Sequence, residues 1–193
     1  VHWALGDCPR AQWTRYALDA TLLCVRREAT GAGPPDWTAP RDLTFRGWLR
    51  GGCRERPPTV DDLDYHLGTL FPPVRPRGWL ELRMMDAQLD DGWMAAVAIA
   101  ATLMDDPKAA EIAYAAVEHL TSPDLWLRAA RNGPADPVLG PVVRTCVATA
   151  VEALGRSDPG GPAHRAAEQF AERYAGRGRC PADDCLADRI GVM

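Results

Sequence analysis

From residue 92 onward the chain runs as apolar helical stretches separated by short polar breaks, and three of those breaks share one punctuation. Asp106-Pro107, Ser122-Pro123 and Asp136-Pro137 each set a capping side chain before a proline, whose fixed φ and missing N–H suit a first helical turn. With Asn132-Gly133 and Gly155 as stops, the pattern predicts helices over 92–104, 107–120, 123–131, 137–154 and 162–175. The first is apolar around its whole circumference from Trp93 to Met104, which calls for burial on several sides.

The first 90 residues read differently. Dense apolar positions from Trp13 to Cys24 predict a short helix, or a helix leading into a strand that ends near Val25 and Arg26. Gly- and Pro-rich loops follow at Thr30–Asp36 and Gly51–Pro58. Thr59 with Asp62 three residues on forms a capping-box pattern, and Leu63, Leu67 and Leu70 give that helix an apolar face before Phe71-Pro72-Pro73 stops it. Trp79–Asp86 then alternates as a strand, with Glu81 and Arg83 on one face. The expected class is α+β, one domain over 1–193 with a strand-containing part at 1–90 and a helical part at 91–193. No repeat with a period of 20–50 residues points to a solenoid.

Composition narrows the function classes. With 47% hydrophobic and 25% charged residues the chain is ordinary globular material rather than disordered or fibrous. A net charge of -4 with scattered basic residues predicts neither a nucleic-acid nor a membrane partner. The longest apolar run, Trp93–Met104, falls short of the roughly 20 residues of a membrane span, and no secretory leader is legible, so cytoplasm is the expected location. The six cysteines are widely spaced and expected reduced, and the four-residue gap between Cys180 and Cys185 matches neither a CxxC redox pair nor a structural zinc site. Val1 in place of methionine suggests a truncated or processed chain.

Candidate chemistry concentrates in Phe71-Pro-Pro-Val-Arg-Pro-Arg-Gly-Trp-Leu-Glu-Leu-Arg-Met-Met-Asp86. On a strand, Glu81 and Arg83 stand about 6.6–6.8 Å apart along one face, so a metal ligand and a phosphate clamp could be neighbours; equally, the two could form a weak ion pair on a solvated face. Arg75 and Arg77 lie in a segment stiffened by Pro72, Pro73 and Pro76, which suits recognition of a carboxylate or phosphate but also suits a surface turn. His119 and His164 lack ligand-type partners at helical spacing. No nucleophile elbow, Walker-type loop or HExxH helix is present.

These words resemble the signature strand of glutamate-cysteine ligases, above all the ergothioneine-pathway (EgtA-type) members, in the stretch from Phe71 through Asp86-Ala87-Gln88. Further agreement lies in Arg15-Tyr-Ala-Leu-Asp19, Leu43-Thr-Phe-Arg-Gly-Trp48, Asp61-Asp-Leu-Asp-Tyr-His-Leu67, Trp93 and Arg177-Gly-Arg-Cys-Pro-Ala-Asp-Asp184. Ala20-Thr21 departs from the family, which usually places a proline there.

The resemblance implies the C-terminal part of a glutamine-synthetase-like catalytic fold that uses ATP and Mg²⁺. ATP would phosphorylate the γ-carboxylate of L-glutamate, and the amine of L-cysteine would displace phosphate to give γ-glutamylcysteine. By position, Glu81 would bind magnesium, Arg83 would contact the ATP γ-phosphate, and Arg75 and Arg77 would assist substrate or phosphate binding. Trp93, His66 and Tyr16 are substrate-side candidates, each of which could instead be an ordinary structural residue. The resemblance also implies a missing N-terminal half as partner and an inactive chain without it. Two other readings stay open: a non-catalytic helical interaction module, and a carboxylate-amine ligase with another amine acceptor.

Overall fold

The computed structural model describes residues 8–29 and 31–191, with side chains through Ala187. Val1 and Thr30, which carry two of the expectations above, lie outside the described residues. The chain is α+β and divides into two units at Met84/Met85.

In the first unit, α1 (Pro9–Asp19) starts earlier than the apolar pattern suggests, because Pro9 occupies its first turn. It runs into extended backbone that forms only isolated bridges, Thr21 with Thr44 and Cys24 with Thr38. A short α2 (Phe45–Leu49), which the hydrophobic pattern does not announce, is capped by the Thr44 hydroxyl accepting from Gly47 N–H. It delivers Phe45 and Trp48 into a core with Leu22, Val25, Leu43 and Cys53. Trp48 is sealed there because its indole N–H donates to Arg56 O at 2.8 Å, which removes the cost of burying that polar group.

The predicted capping box is present at the start of α3 (Val60–Thr69): Thr59 accepts from Asp62 N–H while Asp62 accepts from Thr59 N–H. Asp62 also takes both guanidinium arms of Arg56, at 2.5 and 2.9 Å, and its carboxyl is held far below the ordinary range by those hydrogen bonds. The helix ends at Thr69, with Leu70 as its extended C-cap, just before Phe71, whose position ahead of Pro72 disfavours helical backbone. β1 (Val74–Pro76) and β2 (Leu80–Leu82) then pair as an antiparallel hairpin, pairing Val74 with Leu82, Arg75 with Glu81 and Pro76 with Leu80. The strand predicted over Trp79–Asp86 is therefore shorter, and Arg75-Pro-Arg77 is largely its partner strand.

The second unit is helical: α4 (Gly92–Asp105), α5 (Pro107–Val117), α6 (Leu125–Asn132), α7 (Leu139–Ser157), α8 (Pro162–Arg173) and α9 (Pro181–Gly191). α9 is absent from the sequence-based scheme. The Asp136 carboxylate accepts from Val138 and Leu139 N–H and also from Arg128 and Asn132, but α7 begins at Leu139 and not at Pro137 as the Asp-Pro pair predicts. Ser122, by contrast, bonds the Asp124 carboxylate, and α6 begins only at Leu125.

α7 continues through Gly155, where a stop was expected. A Cβ at that glycine would lie 3.0 Å from His164 Nε2, so its use is the close approach of α7 and α8. α7 packs on α4, α5 and α8 through small residues: Ala109, Ala150 and Ala167 are fully enclosed. The larger apolar side chains of α4 fare otherwise. Trp93, Val97 and Met104 are each about half exposed, so α4 is not enclosed on all sides as its composition predicts. No single helix among the described residues is long and apolar enough to cross a membrane.

Candidate functional site

The hairpin gathers four of the predicted site residues at one point. Its turn needs Gly78 at φ +84°, a left-handed conformation that a side chain resists. Arg77 N–H donates to Trp79 O at 2.8 Å and Arg83 N–H to Pro73 O at 2.7 Å, which extends the pairing beyond both named strands. By the alternation of an antiparallel ladder, Pro76 opposite Leu80 then occupies a non-hydrogen-bonded position, where its missing N–H costs nothing.

Directly across from each other, Arg75 and Glu81 meet through two bonds, Nε to Oε2 at 2.9 Å and Nη2 to Oε1 at 3.1 Å. Arg83 Nη1 donates to the same Oε1 at 2.6 Å, and Arg77 Nε stands 3.9 Å from Oε2. Glu81 therefore sits among three guanidiniums, and its carboxyl is held below the usual range first by its hydrogen bonds to Arg75, which outweigh the opposing cost of desolvation, with Arg83 adding to the lowering.

The three arginines are not equivalent. Arg75 is buried, with its side chain 8% exposed, and its Nη1 also points at the Gly68 and Leu70 carbonyls, both 3.4 Å away, at the negative end of α3. Arg77 is half exposed and Arg83 about a quarter exposed. Arg75 thus ties helix to hairpin, while Arg77 and Arg83 carry the charge that reaches solvent. The arginine charge exceeds what one carboxylate neutralises, so the arrangement suits an added anion.

The other candidates are not part of the hairpin. His66 is 2% exposed in α3, its ring stacked 5.3 Å from Phe45 and its Nε2 2.8 Å from Ala17 O. Because a carbonyl can only accept, Nε2 carries the proton; Nδ1 is enclosed with no hydrogen-bond partner among the described residues, and burial pushes the imidazole pKa down. Tyr16 is half-buried on α1 beside Trp13, ring centroids 5.6 Å apart. Trp93 stands on the exposed face of α4 in the second unit. One contributor escaped the sequence reading: Phe71, whose ring lies 4.9 Å beneath the Arg83 guanidinium. No local spacing signals a contact between residues twelve positions apart.

Other charged clusters are internally compensated. In the second unit a cavity of about 470 Å³ is lined by Asp90, Asp91, Arg165 and Arg173 among others, and Asp184 on its wall accepts from Arg173, Tyr174 and Arg179. In the first unit Arg27 pairs with Glu55, and Arg56 with Asp62. The hairpin differs in its surplus of cations.

The family model of glutamate-cysteine ligase family 2 (GCS2) matches residues 3–190 of this chain. The chain belongs to glutamate-cysteine ligase family 2. Within that family it is 41% identical over 190 residues to glutamate–cysteine ligase EgtA of Mycobacterium tuberculosis, an alignment that takes in 97% of this chain and 41% of the relative. It is likewise 41% identical over 192 residues to glutamate–cysteine ligase EgtA of Mycolicibacterium smegmatis, covering 96% of this chain and 41% of that protein. The chain thus spans about two-fifths of the length of these curated relatives. No solved structure matches it.

Ligases that consume ATP generally use a divalent cation, and the described residues can be tested for one. Magnesium requires several oxygen ligands in near-octahedral geometry. Here both Glu81 oxygens accept from guanidiniums, and no group of three or more His, Cys, Asp or Glu among the described residues is placed to hold a metal. By themselves the residues of this GCS2 hairpin do not fit a metal centre; they fit an anion.

Proposed function

We propose that this chain is the C-terminal part of an ATP-dependent glutamate-cysteine ligase with a glutamine-synthetase-like catalytic fold, and that the hairpin arginines are part of its anion-handling machinery. The observation that carries the proposal is the set Arg75, Arg77 and Arg83 gathered on one carboxylate, Glu81, in a chain of family GCS2. The name shared by the relatives supports glutamate and cysteine as substrates, and the resemblance to ergothioneine-pathway members supports ergothioneine biosynthesis as the setting.

In the reaction, a γ-carboxylate oxygen of glutamate attacks the γ-phosphorus of ATP, the bond from that phosphorus to the bridging oxygen breaks, and ADP departs with its electron pair. The cysteine amine then attacks the acyl carbon, inorganic phosphate leaves with its electron pair, and the nitrogen loses a proton. Catalysis of the first step rests on positioning and on neutralising charge spread over the phosphoryl oxygens. A planar guanidinium held in place suits that task; by the resemblance, Arg83 would contact the γ-phosphate, with Arg77 at a neighbouring anionic group. Arg75 acts at one remove by fixing Glu81. Tyr16, His66 and Trp93 keep no more than a substrate-side proposal, and the burial of His66 favours a supporting role.

Magnesium, when bound, would shield the phosphate charges; any part for Glu81 in holding it requires further oxygen ligands from outside these residues and release of a guanidinium. In the geometry present here, Glu81 gathers arginines.

The test is ATP-, glutamate- and cysteine-dependent phosphate release with detection of γ-glutamylcysteine. The chain would be assayed alone and with the portion of the Mycolicibacterium smegmatis relative that it does not span, in wild-type and Arg83→Ala forms. Product from the reconstituted pair, reduced about 10²–10³-fold in the variant as for removal of one charge-stabilising donor, supports the proposal. Folded, associated protein that makes no γ-glutamyl product from cysteine or any other amine refutes it and leaves the non-catalytic interaction module in its place.

A further inference from the structure

We propose that Phe71 is a positioning residue for Arg83: its ring and the Glu81 carboxylate together hold the guanidinium so that the remaining N–H edge faces an incoming oxyanion. The inference rests on the anion-handling reading of Arg83 above.

Four observations carry it. The Arg83 guanidinium carbon lies 4.9 Å from the centroid of the Phe71 ring, within the range of a cation–π contact. Arg83 Nη1 donates to Glu81 Oε1 at 2.6 Å, which pins one edge of the group while the ring supports one face. The backbone fixes both contacts: Arg83 N–H is bonded to Pro73 O at 2.7 Å, and Phe71 is tethered to that residue through Pro72, so neither side chain hangs from a mobile anchor. Finally, Phe71 is 70% exposed, so its ring is not committed to the core and is open to the Arg83 guanidinium.

A guanidinium constrained on one face and one edge has lost most of its rotational freedom before an anion arrives. Binding then forfeits less entropy than with an unsupported arginine, which is the advantage of preorganisation. Ring type therefore matters more than apolarity: leucine would retain the hydrophobic bulk and lose the π face, whereas tryptophan would keep or strengthen the contact.

The experiment uses the 193-residue chain, with Phe71→Leu, Phe71→Trp, Arg83→Lys and Arg83→Ala variants. Side-chain NMR follows the Arg83 Nε–H resonance, assigned by its disappearance in Arg83→Lys, and measures rotation about its Nε–Cζ bond; titration with inorganic pyrophosphate measures anion binding. The expected result is hindered rotation in wild type, faster rotation in Phe71→Leu with about two- to fivefold weaker pyrophosphate binding, and restoration of both in Phe71→Trp. Exposed Phe71 contributes little to packing, so a general loss of structure would show as altered backbone amide shifts and is separable from these readouts.

Unchanged Arg83 rotation in Phe71→Leu overturns the inference. Faster rotation that tryptophan fails to restore overturns it as well, since bulk alone would then explain the effect. Wild-type binding of pyrophosphate no tighter than that of the charge-removing Arg83→Ala variant would instead sink the anion reading of Arg83, and the hold of the ring on the guanidinium would still be decided by the rotation measurement.

Discussion

At the scale of single residues, side chains that hold the structure are distinct from those proposed to face a ligand. Trp48 belongs to the first kind: it is 2% exposed, with its indole N–H satisfied, and replacement by alanine should cost about 3–5 kcal/mol in chemical denaturation. Thr59→Ala should cost about 1 kcal/mol by the same measurement, because it removes a helix cap and leaves Asp62 N–H without its acceptor. The capping box was legible from two residue types at the right spacing. So was the shared face of Glu81 and Arg83, since strand alternation fixes it and the two side chains bond at 2.6 Å. The burial of Arg75 was not legible. A guanidinium enters the interior only when its partners are already in place, and two of them, the carbonyls of Gly68 and Leu70, are backbone atoms that no residue type advertises.

At the scale of elements, local signals worked best where a single dipeptide decides the outcome. Asp106-Pro107 starts α5 as read, with Asp106 accepting from Ala109 N–H at 2.8 Å. Where two signals compete the reading fails: Gly155 looks like a helix stop, but the need for space beside His164 accounts for a glycine inside α7. β1 was hidden by its proline, which reads as a turn until the register shows Pro76 at a non-hydrogen-bonded position. Glu81 is the side chain that joins both strands of that hairpin. Glu81→Gln should leave the guanidiniums in excess and loosen the pairing, seen as faster hydrogen exchange at the Arg77 and Arg83 amides with helix amides unchanged. Equal protection in the variant would mean that the backbone bonds alone hold the hairpin.

For the whole molecule, stability should depend on pH in two steps. The His66 pKa is depressed in the folded state, so the unfolded chain binds that proton more readily; stability is full above about pH 6.5, the ordinary histidine value, and declines as pH falls through the folded pKa. Asp62 and Asp136 are likewise depressed by their arginine partners, and their contribution is lost progressively as pH falls below about 4, the ordinary aspartate value. Urea denaturation across pH 3–8 should resolve the upper step, and His66→Gln should abolish it while leaving the acid step. Ligand-free stability does not, however, test what the hairpin is for. The most direct test supplies the reconstituted ligase with glutamate labelled with ¹⁸O in its γ-carboxylate, together with ATP and cysteine, and reads the label in the released phosphate by mass spectrometry. The account predicts γ-glutamylcysteine together with phosphate carrying one ¹⁸O per turnover, both strongly reduced by Arg83→Ala. Unlabelled phosphate, or labelled phosphate formed equally well without Arg83, would contradict it.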